Sequence, residues 1–316
     1  MPEKIAIIGA GLIGRAWAIT FARGGRLVAL YDSDPRQVEE TLRAAADLIR
    51  DLEARAMLAG QTAVQVCGRI AAAGTIAAAL EGAEHVQENV PEELEAKRAI
   101  FAELDKAAAP HAVLASSSSA LLPSRFTETL AGRHRCLVVH PINPPYLVPA
   151  VELVPAPWTD PAAVERTGAL MSAIGQAPIT MRRELDGFIM NRLQGALLHE
   201  AFRLVAEGYA STEDIDAGIC KGIGLRWAFM GPFETIDLNA PGGVRDYVAR
   251  YEGLYQHIAK SQAKPTNWSG PLAERVEAEL SRKTPRARLA ERQQWRDRRL
   301  MALARHLAQD EKEIGK

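Results

Sequence analysis

Residues 5–14 read Ile-Ala-Ile-Ile-Gly-Ala-Gly-Leu-Ile-Gly, an unbroken apolar run that passes straight into G-x-G-x-x-G. An apolar run without alternation is what a strand buried on both faces of a parallel sheet requires. A helical pattern follows, with Trp17, Ala18 and Phe21 at helical spacing, and Gly24-Gly25 breaks it. A second apolar strand, Leu27 to Tyr31, then closes on Asp32. Strand, glycine turn, helix, strand and acid in this order point to a doubly wound α/β sheet of the Rossmann type. Gly9 permits the tight turn, Gly11 lets a pyrophosphate approach the backbone, and Gly14 lets helix and strand pack closely. Leu12 and Ile13 complete the turn, at the positive end of the helix that would face the phosphates. Asp32 can accept hydrogen bonds from ribose hydroxyls and would repel a 2′-phosphate. The cofactor expected is therefore NAD rather than NADP.

A chain of 316 residues is long enough for two domains. A formal net charge of −1 gives no basic field, so neither nucleic acid nor an anionic membrane is an expected partner. Cys67, Cys136 and Cys220 are odd in number and far apart, which fits reduced thiols better than a disulfide framework or a zinc site. No apolar stretch is long enough to span a bilayer, and no basic region precedes the first apolar run. The expectation is a soluble cytoplasmic protein without a metal.

Residues 36–80 are alanine-rich and helical in pattern; His85 to Val90 reads as a strand. Pro91-Glu92-Glu93-Leu94 reads as a helix start, and Ala112 to Ala115 as a strand running into Ser116–Ser119. Ligands of doubly wound sheets bind at the carboxyl ends of strands, where the serines and His140 both fall. Leu137-Val138-Val139 ends on His140, and Pro141, Pro144, Pro145 and Pro149 follow. The chain then resumes as Val151-Glu152-Leu153-Val154, with a carboxylate inside an apolar run. A buried carboxylate needs a partner. If the proline-rich segment loops back, the two strands lie side by side and His140 meets Glu152. Beside a nicotinamide, such a pair is the expected general base for oxidising an alcohol.

Past Asp186-Gly187 the pattern is helical throughout. Phe188 to Glu207 reads as one helix, and Ser211 with Asp214 as the cap of another that stops near Gly222-Ile223-Gly224. The expected division is a Rossmann-type NAD-binding domain over 1–186 and an all-helical domain over 187–316 for substrate and dimerisation. The charged tail, 284–316, reads as a solvated helix with Trp295 and Leu300 packed inward.

Six segments in order, "IAIIGAGLIG", "ENVPEELEAK", "ASSSSAL", "HPINPPYLVPAVELV", "DGFIMNRLQ" and "MGPFE", resemble the 3-hydroxyacyl-CoA dehydrogenase superfamily over essentially the whole chain. The resemblance implies that His140 is the catalytic base and Glu152 its partner. It further implies that Ser119 and Asn191 lie at the reacting group, that Glu92, Lys97 and Asn143 line the NAD site, and that the protein is a homodimer. "GLRWAFMGPFETIDLNA" and "RQQWRDRRLMALA" are most similar to the lambda-crystallin branch, which implies L-gulonate 3-dehydrogenase activity. The alternatives within this chemistry are 3-hydroxybutyryl-CoA and carnitine, and outside it a non-catalytic crystallin-like NAD-binding protein. Between Ala44 and Glu88 the basic residues are Arg50, Arg55 and Arg69, with no lysine, where acyl-CoA relatives carry a lysine-rich hairpin for CoA. Arg226 is a candidate anchor for a substrate carboxylate, since a guanidinium grips a carboxylate with two parallel hydrogen bonds. Trp227 is a candidate pocket lining beside it. A small hydroxy acid is the expected substrate.

Overall fold

The structure, a computed structural model, describes residues 3–315. Eight strands form one sheet in the order β3-β2-β1-β4-β5-β6-β7-β8 among the described residues. They are β1 Lys4–Ile8, β2 Leu27–Tyr31, β3 Ile70–Ala72, β4 Ala83–Glu88, β5 Val113–Ser116, β6 Cys136–Pro141, β7 Ala150–Pro155 and β8 Ala177–Thr180. Strands β1 to β6 pair in parallel, β7 runs antiparallel to β6, and β8 is parallel to β7. The apolar run of β1 is buried from Ile5 to Ile8, as a strand covered on both faces must be. Two hydrophobic clusters, one on each face, are built on Ile5 and Ile7 and on Ala6 and Ile8. The sequence order reverses beside β1, where β2 lies on one side and β4 on the other. That switch point puts the carboxyl ends of β1, β2, β4, β5 and β6 along one edge.

The helices between the strands are α1 Leu12–Arg23, α2 Pro35–Ala54, α3 Ala63–Cys67, α4 Ile76–Leu80, α5 Leu94–Ala107, α6 Ser124–Thr127 and α7 Pro161–Ala173. Asp34 caps α2 and Asp160 caps α7, each followed by proline at the first helical position. The alanine-rich stretch 36–80 is not helical throughout, because β3 interrupts it at the sheet edge. Two of its three residues are alanines, and an edge strand this short carries no alternation to read. Helix α5 begins at Leu94 instead of Pro91, which leaves Glu92 in the preceding turn.

Two compact units divide the chain. Among the described residues, the first comprises those up to Met190 with Arg299–His306, and the second Asn191–Arg298 with those from Leu307 onward. Helix α8, Phe188–Ala206, leads into the second unit, which continues with α9 Thr212–Gly218, α10 Gly224–Arg226, α11 Pro232–Leu238, α12 Gly243–Gln262 and α13 Pro271–Lys283. Ser211 and Asp214 form the reciprocal cap of α9 expected from the sequence. The tail forms α14, Leu289–Glu313. There Leu300 packs against the first unit's core and Met301 is buried in it, whereas Trp295 is 47% exposed under the Arg292 guanidinium. The inward position expected for Trp295 is thus not adopted; a stacked cation covers the indole instead.

Candidate functional site

The glycine turn is shaped by contacts that tolerate no side chain. Gly9 has φ +94°, and a Cβ there would lie 2.9 Å from the Asn89 carbonyl. A Cβ on Gly14 would lie 1.9 Å from the Gly9 oxygen, whereas one on Gly11 would meet no protein atom within 4 Å. Asp32 Oδ2 accepts the amide of Ala10 at 2.7 Å, and the Ala10 carbonyl accepts from Gln37 Nε2 and Thr41 Oγ1. Both backbone groups of Ala10 are therefore committed. Gly11 caps α1 with no side-chain acceptor, so no cap hydroxyl or carboxylate competes for the amides of Leu12, Ile13 and Gly14. An open approach at Gly11, donors at a helix N-terminus and an acid at the end of β2 fit a dinucleotide.

The β4 and β5 ends are knitted together behind this turn. Trp17 Nε1 and Gln87 Nε2 both donate to Ser117 Oγ, at 2.9 and 2.7 Å, and Ser117 Oγ donates to Asn89 Oδ1 at 2.8 Å. Gln87 also donates to the carbonyl of Val139, next to His140 on β6. Glu92 turns its carboxylate onto the serine loop, accepting from Ser118 Oγ and from the amides of Ser119, Ala120 and Leu121. Partial burial pushes Glu92 toward a higher pKa, but these donors outweigh it and hold the carboxyl below its usual range. Ser119 itself is exposed at the loop tip. Lys97 is buried: its Nζ donates to both oxygens of Glu88, at 2.8 and 3.0 Å, and to the Val90 carbonyl at 2.9 Å. All three of its donors are spent inside the chain.

His140 and Glu152 face each other in the antiparallel register of β6 and β7. Nδ1 of His140 lies 2.7 Å from Oε2 of Glu152. An ionised carboxylate only accepts, so Nδ1 carries a hydrogen, and in the neutral imidazole Nε2 is the nitrogen with the free lone pair. Oε1 of Glu152 accepts the amides of Ile189 and Met190, at 2.7 and 2.9 Å. Burial pushes the Glu152 pKa up, yet the His140 bond and the two amides prevail and keep it below the usual carboxylate range. The connecting loop is gripped from two sides: Arg23 donates to the Tyr146 carbonyl at 2.8 Å, and Gln176 to that of Pro145 at 3.0 Å. Asn143 is exposed on this loop, joined to Pro144 by a cis peptide bond.

Asn191 follows Met190 directly on α8 and opens the second unit. Arg226 and Trp227, at the end of α10 in the same unit, are both exposed. Arg226 lies within electrostatic reach of Tyr247 on α12. The structure thus gathers Gly9–Gly14, Asp32, Glu92, Ser119, Asn143, His140 and Glu152 on strand ends and loops of the first unit, and leaves Lys97 in its core.

Five participants were not singled out from the sequence: Gln87, Ser117, the amides of Ile189 and Met190, and Phe188, whose ring centroid is 5.5 Å from that of His140. The serine run signalled Ser117 only by position. Backbone donors and a ring contact across elements leave no residue-type pattern to read.

A doubly wound sheet with an uncapped glycine turn and a His–Glu pair at its carboxyl edge defines a nucleotide-dependent oxidoreductase. Comparisons with known proteins narrow that class. Family models for the NAD-binding domain and the C-terminal domain of 3-hydroxyacyl-CoA dehydrogenase match residues 4–185 and 187–287. A lambda-crystallin homolog of Bos taurus is 47% identical over 306 residues, 96% of this chain and 95% of the relative. An L-carnitine dehydrogenase of Pseudomonas putida is 36% identical over 250 residues, covering 79% of this chain and 77% of its own. Among solved structures, 5-formyl-3-hydroxy-2-methylpyridine 4-carboxylic acid 5-dehydrogenase, described as an NAD+-dependent dismutase, superposes with a TM-score of 0.83 at 26% identity. That match covers 98% of this chain and 99% of the other. The chain belongs to the 3-hydroxyacyl-CoA dehydrogenase family and is an NAD-dependent dehydrogenase.

Proposed function

We propose that this protein oxidises the 3-hydroxyl of a small hydroxy acid, with L-gulonate as the leading candidate. The observation that carries the reading is the His140–Glu152 pair, a base oriented by a buried carboxylate at 2.7 Å. NAD, when bound, supplies the hydride acceptor. His140 Nε2 takes the hydroxyl proton, and Glu152 stabilises the imidazolium that results. Ser119 and Asn191 hydrogen-bond the developing carbonyl oxygen, as the family resemblance implies. Glu92 and Asn143 shape the NAD side, and Lys97 acts there through Glu88 and the Val90 backbone. Residues 1–186 hold the cofactor, and 187–316 bring substrate contacts and the dimer surface.

A small acid is favoured over an acyl-CoA by the stretch between Ala44 and Glu88. Arg50 pairs with Asp47, Arg55 with Asp51 at 3.3 Å, and Arg69 with Gln61 at 2.7 Å, so each is engaged within the chain. Arg226 is the guanidinium assigned to the substrate carboxylate, with Trp227 beside it. The similarity to an L-carnitine dehydrogenase supports carnitine, itself a 3-hydroxy acid, as the second reading.

The second unit exposes Phe233, Leu238, Leu254 and Tyr255 along α11 and α12. A patch of this kind fits an interface between two copies of the chain. Light scattering coupled to gel filtration should give twice the 34.3 kDa chain mass. Among the described residues no helix is long and apolar enough to cross a membrane; we place the protein in the cytoplasm. The substrate is tested by following NADH formation with L-gulonate, carnitine, 3-hydroxybutyrate and 3-hydroxybutyryl-CoA. A kcat/KM highest for the acyl-CoA would overturn the small-acid reading, and no NADH from any of the four would favour a non-catalytic role.

A further inference from the structure

Phe188 adopts a backbone conformation that L residues rarely hold. Its φ is +48°, directly after Gly187 at +77°. Left-handed backbone costs free energy at any residue with a Cβ, and such positions persist only where the surroundings enforce them. Glycine would adopt this conformation freely and is already used at 187. What glycine lacks is the ring.

The Phe188 side chain is fully buried, and its ring lies 5.5 Å from the His140 ring at an interplanar angle of 56°. Tilted contacts of this kind suit aromatic pairs. The same turn sends two consecutive amides, those of Ile189 and Met190, to Oε1 of Glu152. Oε2 of that carboxylate meets Nδ1 of His140. Phe188 therefore meets the imidazole with its ring, and the two residues that follow it in the same turn bond the carboxylate. A core residue chosen for packing alone would need only the apolar contacts that Phe188 makes with its cluster, and ordinary backbone would serve.

We propose that Phe188 is a positioning residue for the His140–Glu152 pair. Its left-handed turn aims the start of α8 at Glu152, and its ring confines the imidazole to the rotamer in which Nδ1 faces that carboxylate. The inference rests on the reading of His140 as the base. Removing the ring frees the imidazole to rotate, so turnover falls while the glycine turn and its cofactor site are untouched.

The test uses the full chain with Phe188→Leu, which keeps an apolar side chain and loses the ring. Phe188→Met, longer and more flexible, serves where the leucine variant does not fold. Two readouts are taken together. One is L-gulonate-dependent NADH formation, with NAD affinity from fluorescence titration. The other is the low-field proton resonance of His140 Nδ1–H, assigned by its absence in His140→Gln. The expected result is a fall in kcat of about tenfold or more, NAD affinity within twofold of wild type, and a resonance moved upfield or broadened. A variant that loses stability but keeps the resonance and kcat in place overturns the proposal and leaves Phe188 a packing residue. Turnover retained by His140→Gln overturns only the base assignment. The resonance in Phe188→Leu then still decides whether Phe188 holds the imidazole.

Discussion

Asp32, at the end of β2, accepts the amide of Ala10 inside the glycine turn at 2.7 Å, and its other oxygen accepts the amide of Asp34 at 3.0 Å. The acid proposed for the ribose thus also holds the glycine turn proposed for the pyrophosphate. Asp32→Asn keeps an acceptor for Ala10 and sheds the charge that repels a 2′-phosphate. It should raise the NADP/NAD ratio of kcat/KM about tenfold, or about 1.4 kcal/mol, with a modest rise in KM for NAD. Asp32→Ala loses the turn contact as well and should raise KM for NAD further. Unaltered NADP exclusion in the asparagine variant would remove the charge as the discriminator.

Lys97 and Glu88 form an ion pair whose side chains are 1% and 0% exposed. Ser116 Oγ and the Val90 amide complete the acceptor sites of Glu88. Deleting one partner strands a charge in the core, which costs about 3–5 kcal/mol, whereas replacing both by neutral groups costs much less. Urea denaturation should show that loss for Lys97→Met and substantial recovery in Lys97→Met with Glu88→Gln. A loss under about 1 kcal/mol in the single variant would mean that water reaches the pair.

Much of this arrangement is legible in the sequence because it rests on local chemistry. The glycine turn and Asp32 are a spacing pattern, and the meeting of His140 with Glu152 is the expectation raised by two apolar strands joined by a proline-rich return, to which the antiparallel pairing adds the register. Other parts depend on contacts across the fold. Glu92 reads as a first-turn acid of a helix, but four donors of the 118–121 loop draw it away and α5 starts later. Strand β3 is hidden in alanines, whose propensity favours helix until an edge of the sheet offers pairing. Nothing about a phenylalanine announces a positive φ, and the conformation of Phe188 is visible only where its ring meets His140.

His85 is buried in β4 and shares a hydrogen bond with Gln87 Oε1 at 3.0 Å. Burial lowers its pKa to about 4, from the ordinary 6.5, against the weaker upward pull of Gln87. Between those two values the unfolded chain binds a proton that the folded chain does not. The contribution of His85 to stability should therefore fall as pH drops from 6.5 toward 4, by up to about 1.4 kcal/mol per unit and roughly 3 kcal/mol in all. Above pH 7 this contribution is constant. His85→Gln should flatten that part of the stability curve, read from urea midpoints at pH 7, 6, 5 and 4.5. Parallel curves for wild type and variant would show that His85 titrates normally in the fold.

His140→Gln and Glu152→Gln separate proton transfer from its support. The first removes the base, so kcat should fall by at least about a hundredfold, while NAD affinity stays within twofold, because the glycine turn and Asp32 are untouched. The second keeps the shape of the carboxylate but halves its acceptor capacity. Its amide oxygen can serve either Nδ1 of His140 or the amides of Ile189 and Met190, and its NH2 opposes whichever donor remains. Glu152→Gln should therefore lower kcat by roughly ten- to a hundredfold and also reduce stability, through the loss of two charge-assisted backbone bonds at the start of α8. Steady-state kinetics and urea midpoints on the same preparations distinguish the two effects. Equal kcat losses with no stability change in Glu152→Gln would place the carboxylate's role wholly on the imidazole, and an unchanged kcat would remove Glu152 from the chemistry.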